Sequence, residues 1–230
     1  MKKTMGGSLS ERVAEQIINI IKEKGLKPGE RLVNEYELAN QLGVSRSTVR
    51  ESIKSLESRN ILEIRQGAGT FVSDKQGIPV DPLGLTFEEW DGKLALDLIE
   101  ARLMLEPQIA EAAAIKATSE QINKIMDQCL KVESLINTNQ EYREEDMKFH
   151  AYIAEASGNK IIEKLIPIIN SSVSTNIDAT HNELVKHTVK NHREIAEAIK
   201  RHDYIGAKTA MVEHLHDNRM LIILNYNLYN

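Results

Sequence analysis

Three histidines and one acid in the C-terminal half of this chain have the types and spacing to hold a metal ion. Asp146 and His150 are four residues apart, so on a helix both project from one face, together with Ile153 and Ala154. His192 stands at helical spacing with Val189, Ile195, Ala196 and Ile199, and His214 with Ala207, Ala210, Met211 and Leu221. Each imidazole therefore falls on an apolar stripe that a helix turns toward a core. A single inward histidine is more often a satisfied core residue than a ligand; three of them, with an acid one turn before the first, form a ligand set. Three imidazoles and one carboxylate suit a divalent transition metal, zinc foremost, with nickel, iron and manganese as alternatives. His216 is two positions beyond His214, about 200° round the helix, and cannot face the same centre. It is placed with His181, His187 and His202 on the surface or behind the ligands.

Arg102 shares its helix face with Leu98, Ile99, Leu105 and Ile109, where a bare guanidinium would be costly. Two explanations stay open: a salt bridge to Glu106 one turn later, or a fixed fork for the carboxylate of a ligand beside the metal. A rival chemistry for the whole constellation is activation of water, which would make the protein a metal-dependent hydrolase or lyase tethered to a second module. Against it, no further inward Glu, Tyr or His accompanies the four residues at helical spacing to serve as a general base, and the protein is read as a non-enzyme.

A second group of residues has the chemistry of nucleic-acid contact. Glu35 to Leu42 reads as a short helix, Gly43-Val44 as a tight turn, and Ser45 to Leu56 as a second helix. Leu38, Ala39, Val44, Val49, Ile53 and Leu56 would pack inward, leaving Ser45, Arg46, Ser47 and Arg50 exposed at the start of the second helix. A helix N-terminus offers unpaired N–H groups to phosphate, and arginine can reach phosphate or grip guanine with two hydrogen bonds. Before this pair, Ser10 to Lys24 reads as a helix capped by Ser10, with Val13, Ile17, Ile20 and Ile21 as its stripe. After it, Ile61 to Val72 alternates on either side of a glycine turn and reads as a hairpin wing.

The elements that must carry these residues follow from composition. Of 230 residues 41% are hydrophobic, 27% charged and 4% aromatic, an ordinary globular balance that excludes disorder and collagen. No apolar run approaches the roughly 20 residues needed to cross a bilayer, and Met1 to Ser10 lacks an apolar leader, which points to a soluble, cytoplasmic protein. Cys129 is the only cysteine, so an internal disulfide and any multi-cysteine metal site are out. The net charge of −5 is divided: residues 1–76 hold 13 Lys/Arg against 10 Asp/Glu, while residues 77–230 hold 16 against 24 and all seven histidines. Gly67 to Gly77 is turn-rich and Pro79 and Pro82 follow, marking a linker. From Leu94 onward apolar residues recur at three and four, among them Leu130, Ile161, Leu165 and Ile169, with breaks for about six helices. The expected fold is mainly α: an N-terminal winged helix-turn-helix with a small β wing over 8–74, a linker over 75–93, and a C-terminal antiparallel all-α bundle of six to seven helices over 94–230.

Residues 8–74 resemble the winged-helix domain of the GntR family of bacterial transcription regulators, through Lys27-Pro-Gly-Glu-Arg-Leu32, Leu42-Gly-Val-Ser-Arg-Ser-Thr-Val-Arg50 and Gln66-Gly-Ala-Gly-Thr-Phe-Val72. The resemblance implies that Ser45, Arg46, Ser47 and Arg50 touch DNA and that Gly67 enters the minor groove, with Arg31 and Gln66 of the same motifs beside them. Tyr36 stands where many relatives carry arginine, so no relative's operator sequence transfers to this chain. The text from Asp97 to Ala113, with Asp146-Met-Lys-Phe-His150, Asn191-His-Arg-Glu-Ile195 and Ala210-Met-Val-Glu-His214, resembles the FCD effector domain of the FadR subfamily. That implies a metal held by Asp146, His150, His192 and His214, and a small organic acid beside it. Arg102 would be a candidate clamp, and Asn170 and Ser174 would line the same pocket. It implies further a homodimer on a near-palindromic operator of double-stranded DNA, with repression relieved by the acid as the commoner arrangement.

Overall fold

A computed structural model describes residues 7–89, 91–174, 182–226 and 228, and the side chains of these except 171–174 and 182–186. The chain divides into two compact units, Met1–Gly84 and Leu85–Asn230. In the first, α1 spans Leu9–Glu23, α2 Glu35–Leu42 and α3 Arg46–Ser58, followed by β1 (Leu62–Arg65) and β2 (Gly69–Val72). The cap of α1 is Ser8, where Ser10 was expected; Ser10 lies in the first turn. The reason is local, because only Ser8 has a glutamate three residues on, and the Ser8 hydroxyl and the Glu11 carboxylate satisfy each other's backbone N–H in a capping box. Asn34 and Ser45 cap α2 and α3, and between these helices Gly43 adopts φ +66°, which lets the chain turn within two residues. Val13, Ala14, Ile17 and Ile20 of α1 pack with Leu38, Val49, Ile53 and Leu56 in one core; Val44 is only half-buried.

The wing is an antiparallel pair in the register Leu62↔Val72 to Arg65↔Gly69, and Arg31 bridges to Phe71 at its edge. Beyond it the amides of Ser73 and Gly77 donate to the carbonyls of Ile61 and Asn60, and the Asn60 amide donates to the Ile78 carbonyl. The start of the segment read as a linker is thus fastened to the winged unit.

The second unit is built from α4 (Gly92–Lys116), α5 (Ser119–Asn137), α6 (Arg143–Ala156), α7 (Lys160–Ser174), α8 (Asn182–Lys200) and α9 (Tyr204–Asn225). Side chains of Asp91, Thr118 and Asp203 cap α4, α5 and α9. Helix α4 lies along α9, α9 along α8, and α6 between α5 and α7. Their shared core includes Ile99, Ala113, Ile125, Phe149, Ile153, Ile195, Ile199 and Met211. Two expected core positions face solvent: Leu130 is 50% exposed and Ile161 72%. On α5 the inward face is settled by Ile125, Cys129, Val132 and Ile136, and Leu130 is rotated about 100° from Cys129. On α7 the buried pair is Ile166 and Ile169, which turns Ile161 outward. No helix among the described residues is long and apolar enough to cross a membrane.

Candidate functional site

The core of the second unit brings three histidines from three helices to one point. His150 of α6, His192 of α8 and His214 of α9 are 2%, 1% and 1% exposed, and one nitrogen of each lies within 4.8 Å of the others. The His192 ring stacks on the buried Phe149 ring, with centroids 4.3 Å apart, which fixes its plane. Asp146, one turn before His150 on α6, places Oδ1 3.3 Å from His192 Nε2 and Oδ2 3.9 Å from His150 Nε2. Its carboxylate therefore stands beside two of the three imidazoles and outside the tight cluster of three. His187, His202 and His216 are exposed, and His181 lies outside the described residues.

These imidazoles fit a metal on two counts. Burial pushes His192 down to about 4, with Asp146 opposing and His150 and Arg102 assisting. Burial, with His192, His150 and Arg102 adding to it, likewise pushes His214 well below its ordinary value. Both rings are thus neutral near pH 7, the form that binds metal. The second count is hydrogen bonding: both nitrogens of His192 and Nδ1 of His214 are buried without a hydrogen-bond partner. Unpaired buried polar atoms are rare in folded proteins, and a metal would satisfy one nitrogen of each ring. His214 Nε2 lies 3.3 Å from Asn218 Nδ2, one turn on.

Of the two readings of Arg102, the ion pair with Glu106 is present. Its Nε donates to Glu106 Oε1 at 2.7 Å, with Arg102 5% and Glu106 2% exposed. Glu106 Oε2 lies 2.6 Å from His150 Nδ1, and Arg102 Nη2 lies 3.3 Å from His150 Nε2. The ring N–H is not aimed squarely at Oε2, so the two atoms stand in close contact without a well-aligned hydrogen bond. Burial alone would raise the Glu106 carboxyl, but Arg102 and His150 outweigh it and hold it at about 2. This corrects one step of the sequence reading: an inward glutamate does accompany the histidines. It is a poor general base all the same, because its charge is already engaged on both sides. Asn170 is 3% exposed with neither amide atom bonded, whereas the Ser174 side chain is outside the described residues.

In the winged unit, Ser45 caps α3 and its hydroxyl bonds those of Ser47 and Thr48 at 2.8 Å, while Arg46, Ser47 and Arg50 are exposed. Arg50 is held across to α2, where its Nε and Nη2 donate to both oxygens of Glu35. Arg31, Arg46, Gln66 and Gly67 line one groove with Tyr36 and Gly69; Ser45, Ser47 and Arg50 are not part of that lining. Gly67 at the wing turn has φ +73° and open space around it. Glu35, Glu106 and Asn218 are contacts the sequence reading did not assign to a site. Glu106 was signalled by its place one turn after Arg102, whereas Glu35 and Arg50, fifteen residues apart, carried no such signal.

Comparison with known proteins matches residues 97–217 to the FCD domain and residues 9–72 to the bacterial regulatory proteins of the gntR family. The chain is 32% identical over 220 residues to the putative L-lactate dehydrogenase operon regulatory protein of Escherichia coli, covering 90% of this chain and 83% of that protein. It is also 32% identical over 231 residues to the Uxu operon transcriptional regulator of Escherichia coli, covering 93% and 86%. Among solved structures, Streptococcus agalactiae GntR superposes with a TM-score of 0.82 at 37% identity over 92% of this chain and 99% of that one.

Proposed function

This chain belongs to the gntR family of bacterial regulatory proteins and carries an FCD domain, which makes it a transcriptional regulator, and we propose that a small carboxylic acid bound beside a divalent metal controls its grip on DNA. The observation that carries this reading is the convergence of His150, His192 and His214, all buried and with nitrogens of His192 and His214 lacking partners, inside the FCD unit. His150, His192, His214 and Asp146 would hold the metal, zinc foremost. When bound it supplies open coordination positions to a ligand carboxylate. Arg102 lies against the same histidines and adds a guanidinium, while Asn170 offers an unpaired amide. The name of one relative points to L-lactate as the first acid to try, with other hydroxy acids and sugar acids behind it.

At the other end, Arg31, Ser45, Arg46, Ser47, Arg50, Gln66 and Gly67 would meet DNA. The exposed α3 N-terminus would enter the major groove and the wing glycine the minor groove. Acting as a cytoplasmic homodimer, the protein would read a near-palindrome and repress until the acid arrives. A hundred-fold loss of operator affinity on effector binding requires about 2.7 kcal/mol of coupling.

The test is thermal unfolding of the full chain, stripped with chelator or reloaded with zinc, against a panel of small acids, with operator binding followed in parallel. A midpoint raised by an acid only when zinc is present, together with released DNA, supports the reading. Stabilisation by zinc alone, with no acid adding to it, overturns it in favour of a structural metal. His192→Ala should remain folded and lose both responses; unfolding would again indicate a structural site.

A further inference from the structure

Each oxygen of the Glu106 carboxylate has a different nitrogen closest to it. Oε1 takes the Arg102 Nε–H at 2.7 Å, and Oε2 stands 2.6 Å from His150 Nδ1, with Arg102 Nη2 more distant at 3.5 Å. All three residues are at most 5% exposed, so water cannot substitute for any of these partners. The far side of the same imidazole is also constrained, since Arg102 Nη2 is 3.3 Å from His150 Nε2. A guanidinium nitrogen can only donate, so Nε2 must present a lone pair to it. An acceptor at Nδ1 and a donor at Nε2 leave one arrangement of the ring: the proton on Nδ1 and the lone pair on Nε2.

Resting on the metal reading of the preceding subsection, we infer that Glu106 is a positioning residue: it fixes the His150 tautomer so that Nε2 is the ligating atom, and it anchors Arg102 by the Nε edge beside that atom. A carboxylate that only neutralised Arg102 would have no reason to stand at hydrogen-bonding distance from His150. Metal-bound histidines commonly donate their second N–H to such a carboxylate, which orients the ring and raises its basicity. Here the same carboxylate also holds the guanidinium, so the metal ligand and the acid clamp share one support. Arg102 Nη2 and a metal seek the same lone pair on Nε2. A metal held by Nε2 would leave that edge of the guanidinium free for a carboxylate ligand, so acid binding would depend on metal.

Glu106→Gln isolates the role, because it keeps the size and removes one acceptor. The amide oxygen must stay with Arg102, which has no lone pair to offer, so the amide NH2 turns to His150 Nδ1. The ring then faces a donor on each side, the amide at Nδ1 and Arg102 Nη2 at Nε2, and the partner that held its proton on Nδ1 is gone. The tautomer is read from 15N spectra of histidine-labelled, metal-free full chain, with His150→Gln assigning the signal. Zinc affinity is read by competition with a chromophoric chelator. The expected result is an Nδ1–H ring in the unsubstituted protein, loss of Nδ1–H as the single tautomer in Glu106→Gln, and zinc binding weakened roughly 10–100-fold. An Nε2–H ring in the unsubstituted protein overturns the proposal without recourse to any variant, so a Glu106→Gln chain that failed to fold would not shield it. An unchanged tautomer with unchanged zinc affinity in the folded variant overturns it as well. If zinc binds neither protein, the metal reading fails, and the tautomer shift by itself still decides whether Glu106 positions the ring.

Discussion

Deleting the Glu106 carboxylate outright should cost the helical unit about 3–5 kcal/mol, because it leaves a buried guanidinium without its counter-charge. The magnitude follows from burial: Arg102 is 5% and Glu106 2% exposed, and the pair meets at 2.7 Å. Burial by itself opposes the charged form of Glu106, yet Arg102 and His150 hold it ionised down to about pH 2, so the charges depend on each other. In Glu106→Ala the freed Arg102 keeps only the weaker attraction of Asp146 as counter-charge. For a unit of this size each kcal/mol moves the midpoint by roughly 2–4 °C, which puts the fall at roughly 6–20 °C. Arg102→Ala should lose a comparable amount by stranding the carboxylate. Replacing both, as Arg102→Met with Glu106→Leu, should recover most of the loss, because an apolar pair of similar volume needs no mutual compensation. Thermal and urea unfolding by circular dichroism, with chelator present throughout, measures all four proteins. A Glu106→Ala chain within about 1 kcal/mol of the parent, or a double variant as unstable as the singles, would refute the reasoning.

Four further outcomes can be checked. Arg46→Ala should flatten the dependence of operator affinity on salt by roughly 0.9 in log–log slope, the signature of one lost phosphate contact. In contrast, Glu35→Gln should tighten binding by freeing Arg50 from its bidentate hold; unchanged affinities in a fluorescence anisotropy titration would remove both residues from the interface. In metal-free protein, stability should be highest above pH 6.5 and fall between pH 6.5 and 4. The unfolded His192 takes up its proton near pH 6.5 and the buried one only near 4, so protons favour the unfolded chain in that window, by up to about 3 kcal/mol. A flat urea midpoint from pH 7 to 4.5 would contradict this. Gly69→Ala should weaken the wing more than Gly67→Ala. Both glycines have positive φ, but at position 69 the new Cβ would also stand 2.9 Å from Arg31 Nε; equal loss of operator affinity in the two variants would count against a role for Arg31 in shaping the groove.

What the sequence determined by itself was local. The turn at Gly43 and the cap at Ser45 are each decided within about four residues, and the wing forms between segments only three residues apart, so the winged unit was legible from spacing. The four-residue step from Asp146 to His150 likewise placed both on one helical face. Periodicity names the inward face of a helix, but the final rotation is set by its neighbours, which is why Leu130 and Ile161 were misplaced. Which faces meet was decided only by tertiary packing. Helices α6, α8 and α9 had to converge before three histidines became one cluster, and α4 had to lie against α6 before Glu106 could join Arg102 to His150. The Arg50–Glu35 clasp has the same origin, because it forms only once α2 and α3 have folded against each other across the Gly43 turn. Spacing along a chain specifies direction within one element, whereas distance between elements depends on how all of them bury their apolar surface together.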